Sequence, residues 1–193
     1  MPRMMKIFAL AIVWLMLIGM PGACAAASES TATAPAGSGK PLQVVATTSI
    51  LADLTKNVAG DAATVTSLLP IGSDPHSFEP SPRDSQRVAN ADVLIENGIG
   101  LETWLEPMIQ NSGTRASRVV VSEGLTPRAG DTHAGEATLA NGKGQHDHEL
   151  DPHMWTNVHH VIAYVARIRD GLAAADPANA ALYQANAARY TTQ

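Results

Sequence analysis

The chain has 193 residues, with 13 Lys+Arg against 18 Asp+Glu and 7 His, and a formal net charge of −5. Hydrophobic residues make up 45% and aromatics 4%, enough apolar material for a core and too much for wholesale disorder. An acidic chain without a long Lys/Arg run makes a poor nucleic-acid partner, and a single Cys excludes an intramolecular disulfide framework.

Arg3 and Lys6 form a short positive region, followed by an uncharged apolar run of 14 residues from Ile7 to Met20. A membrane span needs about 20 residues, so the run fits the core of a secretory signal peptide. The small residues of Ala23-Cys24-Ala25-Ala26-Ala27 supply a cleavage site. An N-terminal membrane anchor is the competing reading. Residues 1–27 are therefore expected to be removed on export, leaving 11 basic and 18 acidic side chains and a charge of −7. Cys24 sits where a bacterial lipoprotein carries its acylated cysteine, so a lipid anchor at Cys24 competes with ordinary cleavage. The preceding Pro21-Gly22-Ala23 matches the lipoprotein pattern only in its small residues. Residues 28–41 lack any large apolar side chain and read as a flexible linker.

Leu42 to Thr48 is β-branched and mostly apolar, as a strand buried on both faces should be. Ile50, Leu51, Leu54 and Val58 follow helical spacing, with Ser49 as N-cap and Gly60 as stop. The alternation repeats: a strand at Ala63–Leu69, a short helix at Asp84–Ala91, a strand at Asp92–Glu96, a helix at Leu101–Ile109 that Pro107 threatens to kink, and a strand at Arg118–Ser122. Strand–helix alternation with short links predicts an α/β fold, a four-stranded parallel sheet flanked by helices on both faces. Ligands of such sheets bind outside the carboxyl ends of the strands. Residues 129–150 are rich in Gly, Thr, Ala and His and show no apolar period, so they read as a long loop. Val158–Ala175 is an amphipathic helix, Asp176-Pro177 breaks it, and Ala178–Gln193 starts another. That last helix has no C-cap, so the chain is expected to be a fragment whose C-terminal part is missing.

Asp-Pro-His occurs twice, at residues 74–76 and 151–153. With 10 Asp, 12 Pro and 7 His in the chain, chance predicts about 0.02 occurrences. One copy follows the second strand and the other follows the fourth strand and its loop, both at the carboxyl edge. Proline fixes the backbone and pushes the preceding Asp into an extended conformation, so each His is presented from a stiff turn. Two such imidazoles suit zinc or another divalent first-row ion, with Asp74 and Asp151 placed to orient the rings. Histidines that merely satisfy turns are the plain alternative. His133, His146 and His148, with Asp131, Asp147 and Glu149, form a second cluster that reads as a low-affinity metal-collecting segment or a solvated polar loop. His159 is expected at the surface. Phe78 and Trp155 are candidates to wall the site or to pack in the core. The stretch from His146 to His153 distantly suggests a binuclear zinc hydrolase, but its spacing departs from that pattern and Pro152 intrudes. No His-Glu-x-x-His, Gly-x-Ser-x-Gly, phosphate-loop or dinucleotide fingerprint is present.

From about Leu42 to Gln193 the chain resembles the solute-binding subunits of bacterial zinc/manganese ABC importers. The carriers are Val45-Ala46-Thr47-Thr48-Ser49-Ile50, the run from Asp74-Pro75-His76 to Pro82, Ala91 to Ile95 with Asn97-Gly98, Leu101-Glu102 with Trp104, and Asp151-Pro152-His153-Met154-Trp155. Asp176-Pro177-Ala178-Asn179 with Tyr183, Asn186 and Tyr190 adds to them. The resemblance implies two α/β lobes joined by a long helix, with metal held in the cleft between them. Residues 42–175 then form a Rossmann-like N-terminal metal-binding lobe, and residues 176–193 begin the connecting helix. His76 and His153 correspond to the two N-lobe ligands, and the remaining ligands belong to the C-terminal lobe. A His-rich loop before the second ligand is commoner in zinc-type members, so the implied cargo is Zn²⁺ first and Mn²⁺ second. The implied role is capture without catalysis by a monomer outside the inner membrane, with a permease and ATPase as partners. A zinc-dependent hydrolase and a metal-buffering surface adhesin are the rival functions.

Overall fold

The computed structural model describes residues 40–128 and 150–192. The expected signal peptide 1–27 with Cys24, nearly all of the linker, and His133, His146 and His148 lie outside the described residues.

Four parallel strands, β1 (Leu42–Ala46), β2 (Ala63–Ser67), β3 (Val93–Glu96) and β4 (Ser117–Val120), form one sheet in the order β2-β1-β3-β4. The chain leaves β1 to one side for β2 and returns to its other side for β3. The crevice beyond the carboxyl ends of β1 and β3 is therefore the topological switch point of the fold. Side chains of the central strands alternate between two cores. Val44, Ala46, Val93 and Ile95 pack with α1 (Ser49–Ala59), α4 (Val158–Ala175) and α5 (Ala180–Tyr190), whereas Val45 and Leu94 pack with α2 (Pro82–Ala89) and α3 (Leu105–Ser112). Both faces are thus covered, as the unbroken apolar run of β1 requires.

Local chemistry moves several boundaries. Helix α1 is capped by Thr48, not Ser49: Thr48 is extended, its hydroxyl accepts the Leu51 N–H at 3.2 Å, and Ser49 is already helical. Helix α2 starts two residues earlier than Asp84, because Ser81 and Asp84 form a capping box and Pro82 fits the first helical position. Residues 101–104 are turns rather than helix, and α3 begins at Leu105. Pro107 then falls in the first helical turn, where its missing N–H deprives no carbonyl, so no kink arises. Helix α4 has the expected bounds. After it, Pro177–Asn179 forms a short 3₁₀ turn before α5.

Helix α5 docks onto α1 and α4: Tyr183 and Ala187 enter the larger core, and Asn186 donates to the Val58 carbonyl at the end of α1 at 3.0 Å. Asp176 accepts from the Asn179 amide at 2.6 Å and from the Tyr183 hydroxyl at 2.7 Å, hydrogen bonds that hold its carboxyl below the usual range.

Gly171 lets α4 lie close on β4, since a Cβ there would collide with the side chain of Val119. Alanine would improve helix propensity by about 1 kcal/mol, but overpacking costs about 1–3 kcal/mol. Gly171→Ala should therefore lower stability in urea denaturation, and Val119→Ala added to it should recover part of the loss.

Candidate metal centre

Both Asp-Pro-His segments sit on loops at the carboxyl edge, one between β2 and α2 and the other leading into α4. In each, Oδ1 of the Asp accepts the backbone N–H of the His two residues on, at 2.9 Å in both. The sequence repeat is thus a structural repeat, an Asx turn stiffened by the proline at its centre. The two turns bring His76 Nε2 and His153 Nε2 to 3.3 Å, with ring centroids 5.4 Å apart and planes tilted by 59°. His76 is exposed and the His153 side chain keeps 44% of its surface, so both rings are accessible from solvent.

The second turn controls its ring as well as its backbone. His153 Nδ1 lies 2.8 Å from Asp151 Oδ1. A carboxylate only accepts, so the ring donates Nδ1–H and presents the lone pair of Nε2 towards His76. The backbone N–H of His153, followed by its ring, holds the Asp151 carboxyl below its ordinary range. The expectation that Asp74 orients His76 in the same way is corrected by the geometry. Asp74 spends Oδ1 on the His76 backbone N–H and Oδ2 on the Ser77 hydroxyl at 2.8 Å, and it does not reach the imidazole.

The aromatic candidates divide. Trp155 stands edge-on to the His153 ring at 5.2 Å and walls the site while packing on the larger core. Phe78 packs edge-on against Trp104 at 4.8 Å in the smaller core. His159 is exposed on the first turn of α4, as a surface residue. The Asp151 N–H donates to the Arg128 carbonyl at 3.0 Å.

Beneath the two turns runs the connection from β3 to α3. Glu102 is 9% exposed, and its carboxylate accepts from the Thr47 hydroxyl and the Asn97 N–H, both at 2.7 Å, and from the Gly98 N–H at 3.1 Å. Burial raises its pKa, and these hydrogen bonds oppose the rise. Gly98, Ile99 and Gly100 all have positive φ, at 86°, 54° and 74°. For the β-branched Ile99 this stores about 1–3 kcal/mol, tolerable because Glu102 pins the two N–H groups ahead of it. A Cβ on Gly98 would meet Val120 Cγ1 at 2.6 Å and Ser122 Oγ at 2.8 Å, so the connection fits there only as glycine. The Asn97 amide donates to the Gly98 and Pro152 carbonyls, both at 3.0 Å, and its Oδ1 accepts from the buried Tyr164 hydroxyl at 2.8 Å. Trp104 Nε1 donates to the Pro75 carbonyl at 2.8 Å. Sequence reasoning quotes Asn97, Glu102 and Trp104 without giving them a role and overlooks Tyr164. A carboxylate set between Leu101 and Leu105 was the available signal for a buried acid fed by backbone donors.

Two Zn–N bonds of about 2.0–2.1 Å at a tetrahedral angle hold their nitrogens about 3.3 Å apart. The histidine pair has that separation, so a single ion can bridge the two Nε2 atoms. Among the described residues no group of three or more His, Cys, Asp or Glu converges to hold a metal. The described site offers two imidazole nitrogens.

Comparison with known proteins places the chain. A manganese ABC transporter substrate-binding lipoprotein, PsaA, of Streptococcus mitis is 36% identical over 194 aligned residues, covering 97% of this chain and 57% of the relative. The manganese-binding lipoprotein MntA of Halalkalibacterium halodurans is 40% identical over 163 residues, 84% of this chain and 49% of the relative. The chain therefore spans about half the length of these relatives. Among solved structures, the Mn-bound periplasmic metal-binding protein of Candidatus Liberibacter asiaticus superposes with a TM-score of 0.66 at 31% identity, covering 79% of this chain and 52% of that one. Zn(II)-bound AdcA of Streptococcus pneumoniae also gives 0.66, at 27% identity, covering 79% of this chain and 30% of that one. Residues 44–193 match the family described as zinc-uptake complex component A, periplasmic (ZnuA). This chain belongs to that family of metal-binding proteins.

Proposed function

We propose that this protein is the extracytoplasmic substrate-binding subunit of an ABC importer, which captures a divalent transition metal and delivers it to the permease and ATPase. The observation that carries the reading is the 3.3 Å approach of His76 Nε2 to His153 Nε2 at the switch point of a parallel sheet. Coordination by neutral imidazoles changes no covalent bond, so the chemistry is capture and release.

Zinc ranks first as cargo, because a pair of imidazoles suits it better than the oxygen-rich octahedral sites that manganese favours. Manganese ranks second, supported by the names of the two relatives above. Two protein ligands are too few for a closed tetrahedral site, and the reading takes the others from a C-terminal lobe. A third histidine there favours zinc, and carboxylates favour manganese. The reading includes export by residues 1–27, and the lipoprotein names of the relatives favour acylation at Cys24. Among the described residues no helix is long and apolar enough to cross a membrane. His133, His146 and His148 act as collectors of ions in this scheme, on a segment rooted two residues from His153 through the Asp151–Arg128 hydrogen bond.

Calorimetric titration of the full-length protein with zinc and with manganese tests this. One tightly held ion is expected, weakening in acid because protons compete for the imidazoles. Deleting residues 131–149 should lower the total number of ions bound and leave the tight one in place. Absence of any tight divalent ion contradicts the capture reading, and loss of the tight ion on deletion contradicts the collector role of the loop.

A further inference from the structure

The Asx turns fix the internal shape of each Asp-Pro-His segment, but they do not fix where one turn lies relative to the other. The segments are 77 residues apart at their histidines and leave from opposite lateral strands of the sheet. Their relative position needs a third element that touches both, and the β3–α3 connection is that element. It grips the same atom in each turn, the carbonyl oxygen of the proline: Trp104 Nε1 reaches Pro75 O and Asn97 Nδ2 reaches Pro152 O.

We infer that residues 97–104 form a clamp in which Asn97 and Trp104 are positioning residues, setting the two imidazoles at the separation one ion bridges by holding the Pro152 and Pro75 carbonyls. The clamp is stiff because the carboxylate of Glu102 ties together the Asn97 and Gly98 N–H groups and the Thr47 hydroxyl at the end of β1. Asn97 is held a second time by Tyr164 of α4, the helix that follows the second turn. Through these bonds the clamp references both turns to the sheet and to α4. Trp104 is seated by Phe78, which belongs to the same loop as His76. Neither Asn97 nor Trp104 touches the ion in this scheme; each acts on affinity through the histidine whose turn it holds.

The inference rests on the capture reading, and a double-mutant cycle separates the two. Trp104→Phe keeps an aromatic ring against Phe78 and removes the Nε1 donor. In the full-length protein, titrated with Zn²⁺ alone, it should weaken binding about tenfold, the lower end of what loss of an outer-shell partner does. In a His76→Ala background the same substitution should have no further effect, because the turn it holds no longer carries a ligand. The absorption spectrum of bound Co²⁺ should change with Trp104→Phe and stay unchanged with Val88→Ala, which loosens the same small core. Asn97→Ser with His153→Ala repeats the cycle on the other turn, so poor folding of one variant leaves the other to decide. If the single substitutions leave affinity unchanged while His76→Ala weakens it, the clamp is wrong and capture stands. Additive effects in both cycles likewise overturn the clamp. If His76→Ala itself leaves affinity unchanged, the capture reading has failed instead.

Discussion

His76→Ala and His153→Ala should each weaken zinc binding by the full-length protein more than tenfold, and by about a hundredfold where four ligands share the ion. Closed zinc sites bind with about 10–16 kcal/mol, or about 3 kcal/mol for each of four ligands. The two turns should nevertheless respond differently to changes in their carboxylates. Asp151 accepts both the backbone N–H and the ring N–H of His153, so Asp151→Asn removes the charge that fixes the tautomer and makes Nε2 a better donor. Asp74 holds only the His76 backbone and Ser77. The expected order of loss is therefore His153→Ala, then Asp151→Asn at about tenfold, then Asp74→Asn. Calorimetric titration of the three variants checks it, and equal losses for the two Asp→Asn changes would contradict the asymmetry. With His153 presenting its Nε2 lone pair, a shared ion requires His76 in the Nδ1–H tautomer, so that its Nε2 carries a lone pair as well.

Arg118→Ala should destabilise the folded protein by about 3 kcal/mol. Arg118 binds both carboxylate oxygens of Glu96, at 3.0 and 3.1 Å, and also Glu106 at 2.9 Å. Glu96 is only 5% exposed, at the last position of β3 and next to Asn97. Removing one partner of a buried pair costs about 3–5 kcal/mol. The lower end applies here because the Arg118 side chain is 41% exposed and water reaches it. Burial raises the Glu96 pKa above the ordinary 4.5; the guanidinium opposes this, and the carboxylates of Glu102 and Glu106 add to it. A raised folded-state pKa means that the folded protein binds the proton more tightly than the unfolded chain does. Its contribution is thus favourable in acid and is lost as pH rises through the raised value. Without Arg118 the rise is larger, so the deficit should be small in acid and complete at neutral pH. Urea denaturation across that range measures it; a deficit independent of pH would contradict an uncompensated Glu96.

The features legible in the sequence are those that depend on near neighbours. The β-branched runs, the amphipathic period of Val158–Ala175 and the repeated Asp-Pro-His all act within a few residues, and the parallel sheet flanked by helices follows from their alternation. The start of α3 was not legible, because what stops a helix at Leu101 is Glu102 spending its carboxylate on Thr47, 55 residues away, and on the strained turn after β3. The end of β3 at Glu96 falls where the sequence places it, but the partners of the next residue, Asn97, are Pro152 and Tyr164, at separations of 55 and 67 residues. The Asp74–His76 ring contact was expected by symmetry with the second copy. Identical Asx turns fix backbones alike and leave the rings free to differ, which is why that expectation failed and the Asp151–His153 one held.

The central claim is that one ion takes Nε2 of both histidines at once. The most direct test is long-range ¹⁵N–¹H NMR of the histidine rings in the full-length protein during titration with zinc. The Nε2 resonances of His76 and His153 should shift together and reach completion at one equivalent, with Nδ1 of His153 still protonated against Asp151. Movement of only one of the two rings, or of each at a different equivalent, would contradict a shared ion.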